Sequence, residues 1–213
     1  MFMERKTITY VLIVTLLFLL KVHPVTAQEK ITDQVAVIVL ENRIFAATPD
    51  EGLVRLELSA GERVLATEAR GLNAFVHTSI RILGFSGRLK IWSEQRTDLS
   101  EQIIERRITP RLIFVRTHKR LYGFQALTGL WKSEELGSRE EVRDVVVADH
   151  VIVTVTERRV MAFSAFTGGF FSQDLILDER VSDTQANDNI IILTTPSRRL
   201  IFRAQLRIWT ELR

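Results

Sequence analysis

The sequence predicts an all-β chain, a β-propeller of about five four-stranded units with a repeat of about 39 residues and one degenerate unit. Two observations carry this expectation. The first is self-similarity at a fixed spacing. Residues 116–131, RTHKRLYGFQALTGLW, fall on residues 155–170 after a shift of 39, on 77–92 after the reverse shift, and on 194–209 after a double one. Four columns keep this register without a gap: Thr78, Thr117, Thr156, Thr195; Arg81, Arg120, Arg159, Arg198; Phe85, Phe124, Phe163, Phe202; and Trp92, Trp131, Phe170, Trp209. A fixed period of this size is the mark of a repeat architecture. The second is the texture within one period. Short runs rich in Val, Ile, Thr and Phe alternate with Gly, Asp, Ser and Pro turns, as in successive hairpins.

Residues 142–175 show the four beats most clearly. VRDVVVA is a first strand, VIVTVT after Asp149-His150 a second and the most apolar, RVMAFSA after Glu157-Arg158 a third, and the residues after Phe166-Thr167-Gly168-Gly169 a more polar fourth. A second strand apolar on both sides suits burial between neighbouring units, and a charged fourth strand such as that beginning at Trp131 suits an outer edge. Gly168 falls on Gly129 under the same shift and is matched here with Gly61 as a turn position favouring positive φ. The Phe and Trp columns are expected to pack between units, and the Thr column to sit at strand ends.

The units read as 35–67, about 68–94, 97–136, 140–177 and 180–213. Within the first, strands are expected at 35–40, 42–48, 53–58 and 63–67. The spacing from Thr48 to Thr78 is 30 rather than 39, so one strand is missing or very short at the junction of the first two units. Closure of five units into a ring is favoured, because unsealed ends leave edges and apolar faces open. An open array completed by a partner or by a second copy, as in a homodimer, is the other arrangement.

Residues 1–27 read as a secretory signal: Arg5 and Lys6 precede a nearly unbroken apolar run from Ile8 to Leu20, with small residues at 25–27. Residues 28–213 are then the propeller domain, periplasmic or secreted. The alternative is an inner-membrane anchor over residues 7–22, for which the run is short against the roughly 20 residues of a membrane span. The formal net charge of +3 arises largely there. Without Glu4, Arg5, Lys6 and Lys21, the 29 cations fall to 26 and the 26 anions to 25, a net charge of +1. Nucleic acid is therefore not an expected partner. The chain has no cysteine, which removes disulfides, thiol catalysis, Cys-based metal sites and lipidation of the lipoprotein kind.

LYGFQALTGLW at 121–131 and VMAFSAFTG at 160–168 resemble the PQQ-like repeat of quinoprotein-like β-propellers, in which an apolar strand is followed by an L-Y-A-L/F-D-A-x-T-G-x-x-x-W phrase. The resemblance implies a propeller akin to exported BamB-like scaffolds, which bind proteins. The chain departs from the dehydrogenase branch in lacking cysteine and from the assembly scaffold in lacking both the lipidated cysteine and some eight blades. The resemblance therefore carries over fold and compartment, with no catalytic, cofactor or metal residue.

Among residues that could carry chemistry, Arg81, Arg120, Arg159 and Arg198 follow each second strand, with Lys119, Arg158 and Arg199 beside them. Emerging on one face, they would form a basic ring able to hold an anionic ligand or acidic segment. The alternative is solvated turn arginines paired with acids such as Glu134, Glu135, Glu140, Glu141 and Asp144. His77, His118 and His150 do not fall at metal-ligand spacing, and no P-loop, dinucleotide fingerprint or nucleophile elbow occurs. The expected function is an exported, non-catalytic module binding a protein of the cell envelope. The alternatives are a small-ligand or glycan-binding propeller and, third, a divergent quinoprotein-like enzyme.

Overall fold

The computed structural model describes residues 34–213 apart from 51 and 99. The signal or anchor expected at 1–27 lies outside the described residues. Within them every regular element is a strand and every sheet is an antiparallel meander in chain order. The first sheet has three strands, β1 (Ala36–Leu40), β2 (Arg43–Ala47) and β3 (Leu53–Glu57). The second has β4 (Val64–Arg70), β5 (Asn73–Thr78), β6 (Arg81–Ser86) and β7 (Ile91–Arg96). The third has β8 (Ile103–Ile108), β9 (Leu112–Thr117), β10 (Arg120–Gln125) and β11 (Leu130–Glu135). The fourth has β12 (Val142–Val147), β13 (Val151–Thr156), β14 (Arg159–Ser164) and β15 (Phe170–Asp174). The fifth has β16 (Asp183–Asn187), β17 (Ile190–Thr194), β18 (Arg199–Arg203) and β19 (Ile208–Leu212).

From the second sheet on, each sheet packs against the next through equivalent strands, first on first (β4 on β8, β12 on β16), second on second (β5 on β9, β13 on β17) and fourth on fourth (β7 on β11, β11 on β15, β15 on β19), while the first sheet meets the second through β1 on β4. This is the stacking of propeller blades, and the all-β propeller expectation holds. The favoured closure does not: the sheets are not joined into a ring, and among the described residues no strand of the fifth sheet pairs with one of the first.

The missing strand is not where the sequence places it. Residues 63–67 are expected to end the first unit, yet β4 pairs with β5 from Val64 opposite Thr78 to Arg70 opposite Asn73 and so opens the second sheet. The absent strand is the first one of the first sheet, whose β1, β2 and β3 correspond to second, third and fourth strands. The difference has a local cause. In the first sheet the β1–β2 turn keeps the spacing of the later Thr-x-x-Arg turns, but Leu40, paired with Arg43 and followed by Glu41 at φ 48°, stands in the threonine column, so Thr48 beyond β2 is mistaken for the column residue and the count falls short.

The core lies between sheets. Phe85, Phe124, Phe163 and Phe202 are fully buried and pair across strands with Trp92, Trp131, Phe170 and Trp209 at ring-centroid distances of 5.0, 5.2, 4.9 and 5.1 Å. Three indole N–H groups donate to a carbonyl of the preceding sheet: Trp92 to Val54 at 3.1 Å, Trp131 to Ser93 at 3.2 Å and Trp209 to Phe171 at 2.9 Å. The phenyl rings need space in that sheet, and small residues supply it. A Cβ on Gly84 would stand 2.7 Å from the Phe124 ring, and one on Gly123 would collide with Phe163.

Other details repeat at the same spacing. A β-bulge interrupts the first strand between Val64 and Ala66, Ile103 and Glu105, and Val142 and Asp144. The turn glycines fall in two columns rather than one. Gly129 and Gly168 share theirs with Lys90 and Arg207, all four between φ 58° and 65°, whereas Gly61 shares the register of Asp178.

Candidate functional site

The second strand of each later sheet ends in the threonine of the repeat or, in the fifth sheet, one residue before it. In the second sheet the Thr78 hydroxyl accepts from the backbone N–H groups of Ile80 and Arg81 and reaches the Arg81 carbonyl at 3.0 Å. Thr117, Thr156 and Thr195 build the same turn. Threonine is thus the turn-forming residue, and not only a good strand former at a strand end. The turn aims the arginine three positions on back across its own sheet.

What it meets is a column of glutamates that the sequence reading does not single out. Glu62, Glu101, Glu140 and Glu179 repeat at the spacing of the arginines, each ahead of its own arginine by the same interval. These four sit in the loops between sheets and are buried. Each first closes its own turn, its carboxylate accepting from the backbone N–H three positions earlier, from Ser59 at 2.8, Asp98 at 3.3, Gly137 at 2.9 and Ile176 at 2.8 Å. Arg198 then donates Nε to Glu179 at 2.9 Å and Nη2 at 2.7 Å, a two-pronged contact. Arg159 grips Glu140 at 2.8 and 3.1 Å, and Arg81 grips Glu62 at 2.9 and 3.0 Å.

A third prong leaves the sheet. Nη2 of Arg81, Arg159 and Arg198 donates to a carbonyl at the end of the preceding sheet's last strand, of Glu57 at 3.2, Glu135 at 2.7 and Asp174 at 2.8 Å. The remaining nitrogen takes an acid from a fourth strand: Glu94 for Arg81, Glu134 for Arg159 and Glu211 for Arg198. Each arginine therefore ties a loop, a hairpin and the neighbouring sheet together. This planar fork geometry is one a lysine ammonium cannot reproduce.

The electrostatics follow. The Arg198 guanidinium, ahead of the cost of burial, holds the Glu179 carboxyl at about 2. Burial pushes the Glu62 and Glu140 carboxyls up, but hydrogen bonds from Arg81 and Arg159 and from nearby hydroxyl and backbone donors outweigh it, leaving both below the usual range. These three carboxylates stay ionised and bonded near neutral pH, so they brace the chain and have no proton to exchange.

All four arginines expected to form a basic ring are thus engaged inside the chain, with side chains 13, 29, 21 and 5% exposed for Arg81, Arg120, Arg159 and Arg198. Of the acids expected as their partners, Glu134, Glu135 and Glu140 take part. The cations that face solvent on these turns are Lys119, Arg158 and Arg199. His118 is exposed on its turn. His150 is buried and stacks on Phe166 at 4.9 Å. Among the described residues no group of three or more His, Asp or Glu could hold a metal ion.

The open surface lies at the ends of the array. β1 is an edge strand, with no described strand beyond it, whereas β5, β9, β13 and β17 each lie between two strands. Its Ile38, Val39 and Leu40 are 40, 39 and 54% exposed. The column spacing alone would have revealed the glutamates. The edge needed the strand pairing.

No known family pattern and no curated protein matches the chain. Among solved structures it is similar to Prp20p from Saccharomyces cerevisiae (TM-score 0.39, 8% identity, 80% of this chain and 55% of that one), described there for its binding to Gsp1p and histones. It is also similar to the N-terminal domain of Nup159 (TM-score 0.35, 8% identity, 80% and 55%) and to the extracellular domain of the one component system BT4673 from B. thetaiotaomicron (TM-score 0.35, 11% identity, 84% and 28%). The chain spans about half the length of the first two and less of the third. These are loose likenesses, and the fold assignment rests on the chain's own five sheets.

Proposed function

We propose that this chain is an exported, non-catalytic binding module of the cell envelope, of PQQ-like propeller type, and that its ligand is another protein. The observation that carries the reading is the unpaired edge of β1. Its sequence AVIVL is apolar throughout, and its backbone edge is a ready template for an added strand. A partner's extended segment would enter where the other sheets have their first strand, with main-chain hydrogen bonds giving affinity and side-chain contacts specificity. The N-terminal sequence pattern supports export, and the phrases at 121–131 and 160–168 support the PQQ-like kinship.

The test is a photo-crosslinking residue placed at Leu40 in the full chain within its native envelope. A covalent adduct with a different protein, lost when Val39→Lys charges the edge, is the expected result. The reading fails if no protein adduct forms while the purified chain binds a glycan or small molecule. Fractionation tests the compartment: the reading requires the chain in the envelope and not the cytoplasm.

A further inference from the structure

Four copies of one interface join the five sheets, and among the described residues the outer faces of the array are its two halves without mates. In each interior copy the side facing the next sheet offers a small residue: Ala46, Gly84, Gly123 and Ala162 on the first to fourth sheets. The next sheet fills that space with Phe85, Phe124, Phe163 and Phe202 in turn.

At both ends the sizes are exchanged. On the outer side of the fifth sheet the residue in the small column is Ile201. It is 9% exposed, belongs to none of the core clusters that join sheets, and is set beside half-buried Ile190 and Ile192. On the outer side of the first sheet Ala47 stands where the others have phenylalanine. It pairs across strands with Leu53 where they pair with Trp or Phe. A further sheet of the interior kind would drive a phenyl ring into Ile201. A first sheet of this chain would bring Ala47 there instead.

Two of the five unpartnered buried polar atoms among the described residues lie on the same two faces, the others belonging to Asn73, Thr154 and Thr167 of interior sheets. Arg43 stands where Arg81, Arg159 and Arg198 reach back to the preceding sheet, and its Nε is buried without a partner. Asn189 stands where His150 contacts the following sheet through Asp188, and its Oδ1 is buried without a partner. Exposed Ile38 and Leu53 edge one face, and exposed Ile208 and Leu212 the other.

We propose that the outer face of the fifth sheet binds the outer face of the first sheet of a second copy of this chain, head to tail, by the interface that already joins the sheets within it. Such contacts are heterologous: the two surfaces differ, and each copy carries one of each. The proposal goes beyond binding through the β1 edge and is tested on the purified chain alone, so an absent envelope partner leaves it standing.

The experiment is mass by light scattering across a concentration series, with folding followed by circular dichroism. The unaltered chain should grow from monomer to oligomer with concentration. Ile192→Glu, which disables the fifth-sheet face, and Ile38→Glu, which disables the first, should each remain monomeric. Mixed one to one they should form a dimer, because one intact junction survives. Ala47→Phe should weaken association at least about tenfold, and adding Ile201→Ala should restore it by recreating the interior fit. A monomer at every concentration overturns the proposal and points to ends that meet within one chain or are covered by another protein. A mixture that stays monomeric while the unaltered chain associates also overturns it, as does Ala47→Phe associating undiminished.

Discussion

The arginine of the fifth sheet and that of the third occupy the same register, yet the chain uses them differently. Arg198 donates through Nε and Nη2 to Glu179, through Nη1 to Glu211 at 2.5 Å and through Nη2 to the Asp174 carbonyl, with both members of the central pair almost fully buried. Arg120 stands 3.7 Å from Glu101, leans toward Asp98 and Glu135 at 3.5 and 3.4 Å, and is the most exposed of the four. The difference begins at one side chain. The second position after the arginine is Leu83, Met161 or Leu200 in the other sheets and Tyr122 in the third. The Tyr122 hydroxyl donates to Glu101 at 2.7 Å and takes the place the guanidinium holds elsewhere. Burial, and then the Glu101 carboxylate, push that phenol up to about 12. The comparison teaches that a buried carboxylate must be satisfied, and that the column fixes the acceptor while leaving the donor open.

The largest expected effect comes from breaking the tighter pair. Glu179→Ala strips Arg198 of its main partner and opens the turn at Ile176. Removal of one member of a buried pair costs about 3–5 kcal/mol, to be read from denaturant unfolding. Glu101→Ala should cost less, about 1–3 kcal/mol, the range for a buried hydrogen-bond partner left unsatisfied. Arg120 keeps Asp98 and Glu135 and reaches water, so the loss falls on Thr117 and Tyr122. Equal losses in the two variants would erase the distinction between the sheets.

Acid sharpens the comparison. Glu179 has a folded value of about 2 against 4.5 for the free side chain. A depressed folded value means that its contribution is complete above pH 4.5 and is lost as pH falls from there toward 2, about 3 kcal/mol in all. Stability curves of the unaltered chain and of Glu179→Gln should therefore converge across that window. Parallel curves would show that the pair does not hold the proton off. The smallest effect is expected at an exposed pair of the same residue types. Arg55 and Glu57, 53 and 51% exposed, form an ion pair in solvent, and Arg55→Ala should change stability by less than about 1 kcal/mol.

Much of this was legible in the chain. The evenly spaced columns gave the meander, the aromatic inter-sheet packing and the strand order, because a repeated unit must bury the same residues against the same neighbour. The arginine column was visible, but its partner column did not stand out. Glu62, Glu101, Glu140 and Glu179 lie in loops, where acids are ordinarily solvated, and burial is what changes their meaning. The first hairpin misleads because its column residues are replaced. Leu40 stands for the threonine and Ala47 for the phenylalanine, so counting from Thr48 assigns β4 to the wrong sheet.

By itself the sequence determined the repeating unit, since strand alternation, turn chemistry and aromatic spacing are local properties of a single repeat. Only the tertiary structure decided what the ends of the array look like. Ala46 and Ala47 are neighbours in sequence with the same side chain. One receives a phenyl ring and the other faces outward, because adjacent residues of a strand point to opposite sides of the sheet. Which side has a neighbour depends on how many sheets precede and follow. The same count leaves Ile201 outward where Ala162 is covered, and makes the arginines of the repeat internal braces tied to buried glutamates.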